Sequence, residues 1–166
     1  SYRDHDARDL PVEPIRSADG AWITVTVQMA GRNVAARLWQ AFVGRIRVVL
    51  LDTNVPENAP ADRDITHRLY GGDESVRIRQ EIILGIGGVR ALRALGLAPA
   101  VWHMNEGHAA FLTLELLREL RGRGLELPAA IEAIAGQCAF TTHTPVAAGH
   151  DAFGHELMLA HFGDFI

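Results

Sequence analysis

Val101-Trp102-His103-Met104-Asn105-Glu106-Gly107-His108 and Cys138-Ala139-Phe140-Thr141-Thr142-His143-Thr144-Pro145 decide how this chain folds. Each begins as a short strand and runs directly into a cluster of hydrogen-bonding side chains. Between them Phe111, Leu114, Leu117 and Leu120 recur at helical spacing over residues 109–120, and Pro128 opens a further helix that ends near Gly136. Strand, helices, strand is a crossover unit of a parallel sheet. The expected fold class is therefore α/β. In such a sheet ligands sit in the crevice beyond the carboxyl ends of the strands, and both polar clusters fall there.

Upstream, residues 75–95 read as one long helix. Ile78, Ile82, Ile86, Val89 and Leu92 share a face, Arg77, Arg79, Arg90 and Arg93 lie mostly off it, Asp73 or Ser75 can cap its start, and Gly96 closes it. Those arginines read as a solvated or salt-bridged face more simply than as a phosphate grip. Gly85-Ile86-Gly87-Gly88 lies inside this helical period, follows no strand and lacks the last glycine of a nucleotide fingerprint, so close helix packing is its expected role. Tyr70-Gly71-Gly72-Asp73 reads as a tight turn into the helix.

Before the helix, residues 52–64 carry Pro56, Pro60 and several acidic and amide side chains, the composition of a loop. Residues 22–28 alternate, with Ile23, Val25 and Val27 to one side. Gly31-Arg32-Asn33 is expected to turn the chain, residues 34–39 alternate again, and beyond Gly44 residues 45–51 end in Val48-Val49-Leu50-Leu51, a run expected of a more buried strand. These segments predict an antiparallel meander and divide the chain into a meander region (1–52), a loop (53–74) and an α/β region (75–166).

Composition narrows the function. A chain of 166 residues, 48% hydrophobic and 22% charged, has the make-up of an ordinary globular domain. Its net charge of −4 comes without long like-charge runs, so no footprint for nucleic acid or an anionic membrane is present. No apolar run approaches the roughly 20 residues of a membrane span, and Ser1 to Asp6 lacks the parts of a signal peptide. With a single cysteine, Cys138, in an apolar stretch, an inert thiol in a reducing cytoplasm is expected. All 16 Lys and Arg residues are arginine, so no side chain of this chain can form a lysine Schiff base.

The two polar clusters also carry a resemblance. Trp102 to Phe111, and Phe140 to Val146 with Gly149-His150-Asp151, are similar to motifs of the bacterial α-glucan phosphorylases. So, in the same order, are Leu51-Asp52-Thr53-Asn54-Val55-Pro56-Glu57-Asn58, Asp64-Ile65-Thr66 with Leu69-Tyr70-Gly71-Gly72-Asp73, and Arg77-Ile78-Arg79-Gln80-Glu81 leading to Gly85-Ile86-Gly87-Gly88-Val89-Arg90. The likeness runs from Arg45 to Asp151 and is looser before it; the short bacterial subgroup is the closer comparison, although Ala147 stands where many relatives have a second proline. The resemblance implies a fragment of the Rossmann-like N-terminal domain of a GT-B glycosyltransferase. It implies α-1,4-glucan and orthophosphate as substrates, and pyridoxal phosphate on a lysine of a C-terminal domain absent from this chain. It also implies retaining phosphorolysis to glucose 1-phosphate. An isolated fragment of this kind is expected to self-associate, and a homo-oligomer is compatible with it.

Carried over position by position, His143 matches the histidine lining the catalytic glucosyl subsite, Asn105, Glu106 and His108 match the loop beside the anomeric side of that sugar, and Thr144 and Gly149 follow in the active-site turn. No catalytic group and no cofactor ligand is expected in this chain. Other readings compete. Asn105 or Glu106 could simply cap a helix beginning near Gly107. His103, His108, His143, His150 and Glu106 are adequate zinc ligands, but neither a His-Glu-x-x-His helix nor a cysteine knuckle is present, so no metal is expected. A non-catalytic carbohydrate-binding or regulatory module of the same fold is the main alternative function, with a metal-dependent hydrolase behind it.

Overall fold

A computed structural model describes residues 6–68, 72–143, 145, 151–163 and 165. Two sheets and a helical layer make up the chain. The first sheet is antiparallel and is centred on the long strand β3 (Arg32–Val43). One edge of β3 pairs with β2 (Thr24–Met29) and then with the short β1 (Glu13–Pro14); the other edge pairs with β4 (Ile46–Asp52). This is the expected meander, with a tighter turn than Gly31-Arg32-Asn33. Met29 pairs directly with Arg32, so Ala30 and Gly31 alone reverse the chain, at φ 48° and 73°. Positive φ at both central positions gives the hairpin turn whose twist matches that of the strands.

Alternation along β2 and β3 buries Val25, Val27 and Met29 against Val34, Ala36 and Leu38 on one face. That face receives the helical segment. Asp73 caps α2 (Glu74–Ile82) by accepting hydrogen bonds from the Ser75 and Val76 amides. The chain then widens into one π turn, Ile83–Gly87, and continues as α3 (Gly88–Ala94). Ile78, Ile82, Ile86 and Val89 are all buried, as their spacing predicts. The run Val48 to Leu51 is not a buried strand: among the described residues β4 pairs with β3 alone, and Leu50 is 41% exposed. A short helix α1 (Pro60–Arg63) occupies part of the expected loop, and Tyr70 and Gly71 lie outside the described residues.

Beyond the helices come β5 (Trp102–Asn105), a 3-10 turn (Gly107–Ala109), α4 (Leu112–Gly122), α5 (Leu127–Ala135), β6 (Cys138–Thr141) and α6 (His155–Phe162). β5 and β6 pair in parallel as a second, two-stranded sheet, the expected crossover. The arginines off the helix face are salt-bridged: Arg90 to Glu115, Arg93 to Glu119, Arg77 to Asp151 and, at 3.9 Å, Arg79 to Asp62. Gly85 lets the π turn meet the start of α4, where a Cβ would lie 2.7 Å from the Leu112 nitrogen. Helix packing therefore accounts for that glycine. Cys138 is half-buried, and burial pushes its thiol up.

Candidate functional site

The register of the parallel pair sets Asn105 opposite Thr141, so both polar clusters leave the sheet side by side at its carboxyl end. The pairing extends one residue further, the Glu106 N–H donating to the Thr141 carbonyl at 2.8 Å. At that point the backbone is strained. Glu106 adopts φ 62° and ψ −166°, a region populated almost only by glycine and costing about 1–3 kcal/mol for other residues. Its side chain is turned inward and the residue is 6% exposed. Oε1 accepts a hydrogen bond from the His143 amide at 3.3 Å, and Oε2 lies 3.9 Å from His108 Nε2. Glu106 therefore ties the loop after β5 to the loop after β6. It does not cap the 3-10 turn, so the capping alternative is not realised at this residue.

Three of the expected site residues are thus brought together: Glu106 and His108 from one loop, His143 from the other. Asn105 is exposed at the adjoining strand end, and His143 is exposed as well. His103 braces the same rim through a 2.6 Å hydrogen bond between Nε2 and the Thr141 hydroxyl. Thr144, Gly149 and His150 lie outside the described residues.

Behind His108 stands a group drawn from the matched motifs, Arg77, Glu81 and Asp151, but not among the expected site residues. His108 Nδ1 is 3.7 Å from Glu81 Oε1 and 3.8 Å from Asp151 Oδ2, and Arg77 pairs with Asp151 while its guanidinium lies 3.8 Å from Glu81. Burial, then the adjacent Asp151, push the Glu81 carboxyl up to about 8, against the opposing pull of Arg77. Burial alone would raise Asp151 too, but Glu81, Arg77 and His108 outweigh it and hold that carboxyl below its usual range. The signal available in the sequence was position: Glu81 lies between Ile78 and Ile82 on the apolar face of α2. Among the described residues, His108 alone of the histidines weighed as metal ligands joins such a cluster, with ligand atoms of Glu81, His108 and Asp151 within 4.8 Å of one another.

Chemically, the rim offers a backbone-anchored imidazole, an exposed amide and hydroxyls at the mouth of a parallel sheet. Such groups both donate and accept, as sugar hydroxyls do. No protein-family model matches the chain. Among known proteins it is 43% identical over 152 residues, 92% of the chain, to the maltodextrin phosphorylase of Thermococcus litoralis. It is 44% identical to the glycogen phosphorylase of Mycobacterium tuberculosis over an alignment covering 99% of the chain. Over 82% of the chain it is 38% identical to the glycogen phosphorylase of Aquifex aeolicus. The chain spans only 18 to 20% of the length of these curated relatives.

Proposed function

Since the chain belongs to the glycogen and maltodextrin phosphorylase family and corresponds to about a fifth of its relatives, we propose that it forms one wall of the active-site cleft of an α-glucan phosphorylase. The parent would be a GT-B glycosyltransferase, with this chain an internal part of its N-terminal, Rossmann-like domain. It would release glucose 1-phosphate from α-1,4-glucans with orthophosphate. The observation that carries the reading is Glu106, a buried, strained residue spanning the mouths of two parallel strands to hold the His143 turn. Strain of this kind persists where the surroundings over-determine it and clusters at ligand sites.

In this reading His143 holds the terminal glucosyl unit and transfers no proton, Asn105 and Glu106 border its anomeric side, and His108 backs Glu106. Thr144 and Gly149 belong to the same turn by sequence correspondence. Pyridoxal phosphate does not fit this chain: with 16 arginines and no lysine, no side chain here can hold it as an imine. It would be bound by the C-terminal domain of the parent. The partners proposed for the chain are that domain, α-1,4-glucan, phosphate and a further copy of the parent in a homo-oligomer. No helix among the described residues is long and apolar enough to cross a membrane, and the parent is proposed to be cytoplasmic.

Substituting His143→Ala in the full-length polypeptide tests the reading. Hydrogen bonds that align a reacting sugar contribute several kcal/mol in the transition state, so turnover should fall by about 100-fold or more. The unfolding midpoint should barely move, because the His143 side chain is exposed. Unchanged phosphorolysis would overturn the assignment.

A further inference from the structure

We infer that Glu81 is a positioning residue that works as a neutral acid, its carboxyl proton shared with Asp151 so that the pair holds the His108 imidazole against Glu106. The inference rests on the functional reading above only for its kinetic consequence. Its basis is geometry. Glu81 Oε1 is buried and accepts no hydrogen bond among the described residues, which is costly for a carboxylate oxygen and natural for the O–H of an acid, which donates.

Among the described residues, the charges facing Glu81 come from three elements. Arg77, one turn earlier on α2, pairs with Asp151 and only approaches Glu81; Asp151 precedes α6; His108 projects from the 3-10 turn, with Glu106 on its far side. Three carboxylates thus share one guanidinium and one imidazole. Two adjoining carboxyls away from water do not both ionise cheaply, and one proton between them removes the conflict. The proton belongs on Glu81, because the Glu81 side chain is 7% exposed and the Asp151 side chain, in direct contact with Arg77, is 25% exposed. Burial pushes Glu81 up to about 8, so this arrangement holds at neutral pH and dissolves above it. Once Glu81 ionises, it repels Asp151 and draws His108 Nδ1 toward itself. His108 then leaves Glu106 Oε2, and Glu106 is the group that fixes the His143 amide. A divalent cation could in principle sit among Glu81, His108 and Asp151, but it would have to displace the guanidinium already seated on Asp151.

The test uses the full-length polypeptide with carbonyl-labelled glutamate and ring-labelled histidine. Infrared difference spectra between mildly acidic and alkaline pH should show a neutral-carboxyl C=O band that titrates with a midpoint of about 8 and is absent from Glu81→Gln. The His108 ring resonance should report the same inflection and lose it in Glu81→Gln. In phosphorolysis, Glu81→Ala should lower kcat by about tenfold with little change in KM. Glu81→Gln, which keeps a neutral hydrogen-bonding group, should restore most of that loss and remove the alkaline fall in rate. Absence of the C=O band would overturn the inference, and so would stoichiometric zinc or manganese binding that Glu81→Gln abolishes. A polypeptide with the band and the His108 inflection but no phosphorolysis would support the Glu81 assignment and overturn only the functional reading.

Discussion

Gly85→Ala and Gly88→Ala lie three residues apart in one helical segment and should act in opposite directions. An added methyl at Gly85 would stand 2.7 Å from the Leu112 nitrogen and 2.9 Å from the Phe111 carbonyl carbon. Comfortable heavy-atom contact is about 3.5–4.0 Å. Both neighbours are backbone atoms at the start of α4, so no rotamer change relieves the clash. The π turn and α4 must instead separate by about 1 Å, opening the core where Ile83 and Ile86 pack with Phe111. Overpacking of this kind costs about 1–3 kcal/mol. At Gly88, by contrast, φ is −60°, ψ is −45° and nothing lies within 4 Å of the new methyl. There the substitution gains only the helix preference of alanine, about 0.5–1 kcal/mol. That preference is common to both variants, so their difference isolates the clash at about 1–3 kcal/mol. Urea unfolding followed by tryptophan fluorescence should separate the midpoints by about 1 M at unchanged slope. Equal midpoints, or a higher one for Gly85→Ala, would refute the packing argument.

Two further perturbations probe other supports of the fold. Glu115→Ala leaves Arg90 and Arg118 without their shared acceptor and frees the Arg90 link to the Thr26 carbonyl, so it should cost about 3–5 kcal/mol in the same unfolding assay. Burial alone would raise the Glu115 carboxyl, yet hydrogen bonds from Arg118 and Arg90 outweigh it and hold it low. Its stabilisation is thus present above the ordinary carboxylate range and lost as pH falls through the lowered value, so the acid-side drop in Tm should be shallower in Glu115→Gln than in the unsubstituted protein. Asp73→Ala should remove about 0.5–2 kcal/mol by leaving the Ser75 and Val76 amides without their acceptor, and Asp73→Asn should recover most of it.

Periodicity made the meander, the helix spanning residues 75–95 and the parallel crossover legible, because each buries one regular face. The misreadings have local causes. Ala30 gives no hint of positive φ, so the sequence points to Gly31-Arg32-Asn33 where the turn is Ala30-Gly31. Val48 to Leu51 reads as buried on hydrophobicity alone, but burial depends on neighbouring strands, and among the described residues β4 has one only on its β3 side. The π turn left no mark beyond its glycines. At the candidate site, motif matches point to Asn105, Glu106, His108 and His143, and strand register explains why their two loops lie side by side. The strain at Glu106 is a property of φ and ψ and has no signature in residue type. Asp151 lies about seventy positions from Glu81, a juxtaposition that only the folded chain reveals.

Glu81 and Glu115 pose the same problem and receive opposite solutions. Each interrupts the apolar stripe of its helix, Glu81 between Ile78 and Ile82 and Glu115 between Leu112 and Leu116, and each is buried. A carboxylate on such a face must find compensation or give up its charge. Glu115 finds two guanidiniums, each making paired hydrogen bonds of 2.6 to 2.9 Å, and is held ionised. It binds α3, α4 and, through Arg90, β2 into one unit. Glu81 finds one guanidinium already committed to Asp151, and is driven neutral. The first arrangement keeps its charges, since, against burial, the hydrogen bonds between them hold the Glu115 carboxyl below its ordinary value and the Arg118 guanidinium above its own. The second lies next to His108 and to Glu106, whose backbone is strained, and its carboxyl is pushed up to about 8, where a modest rise in pH ionises it. Stability and responsiveness are thus assigned to different glutamates, and the responsive one backs the rim proposed to meet the glucan.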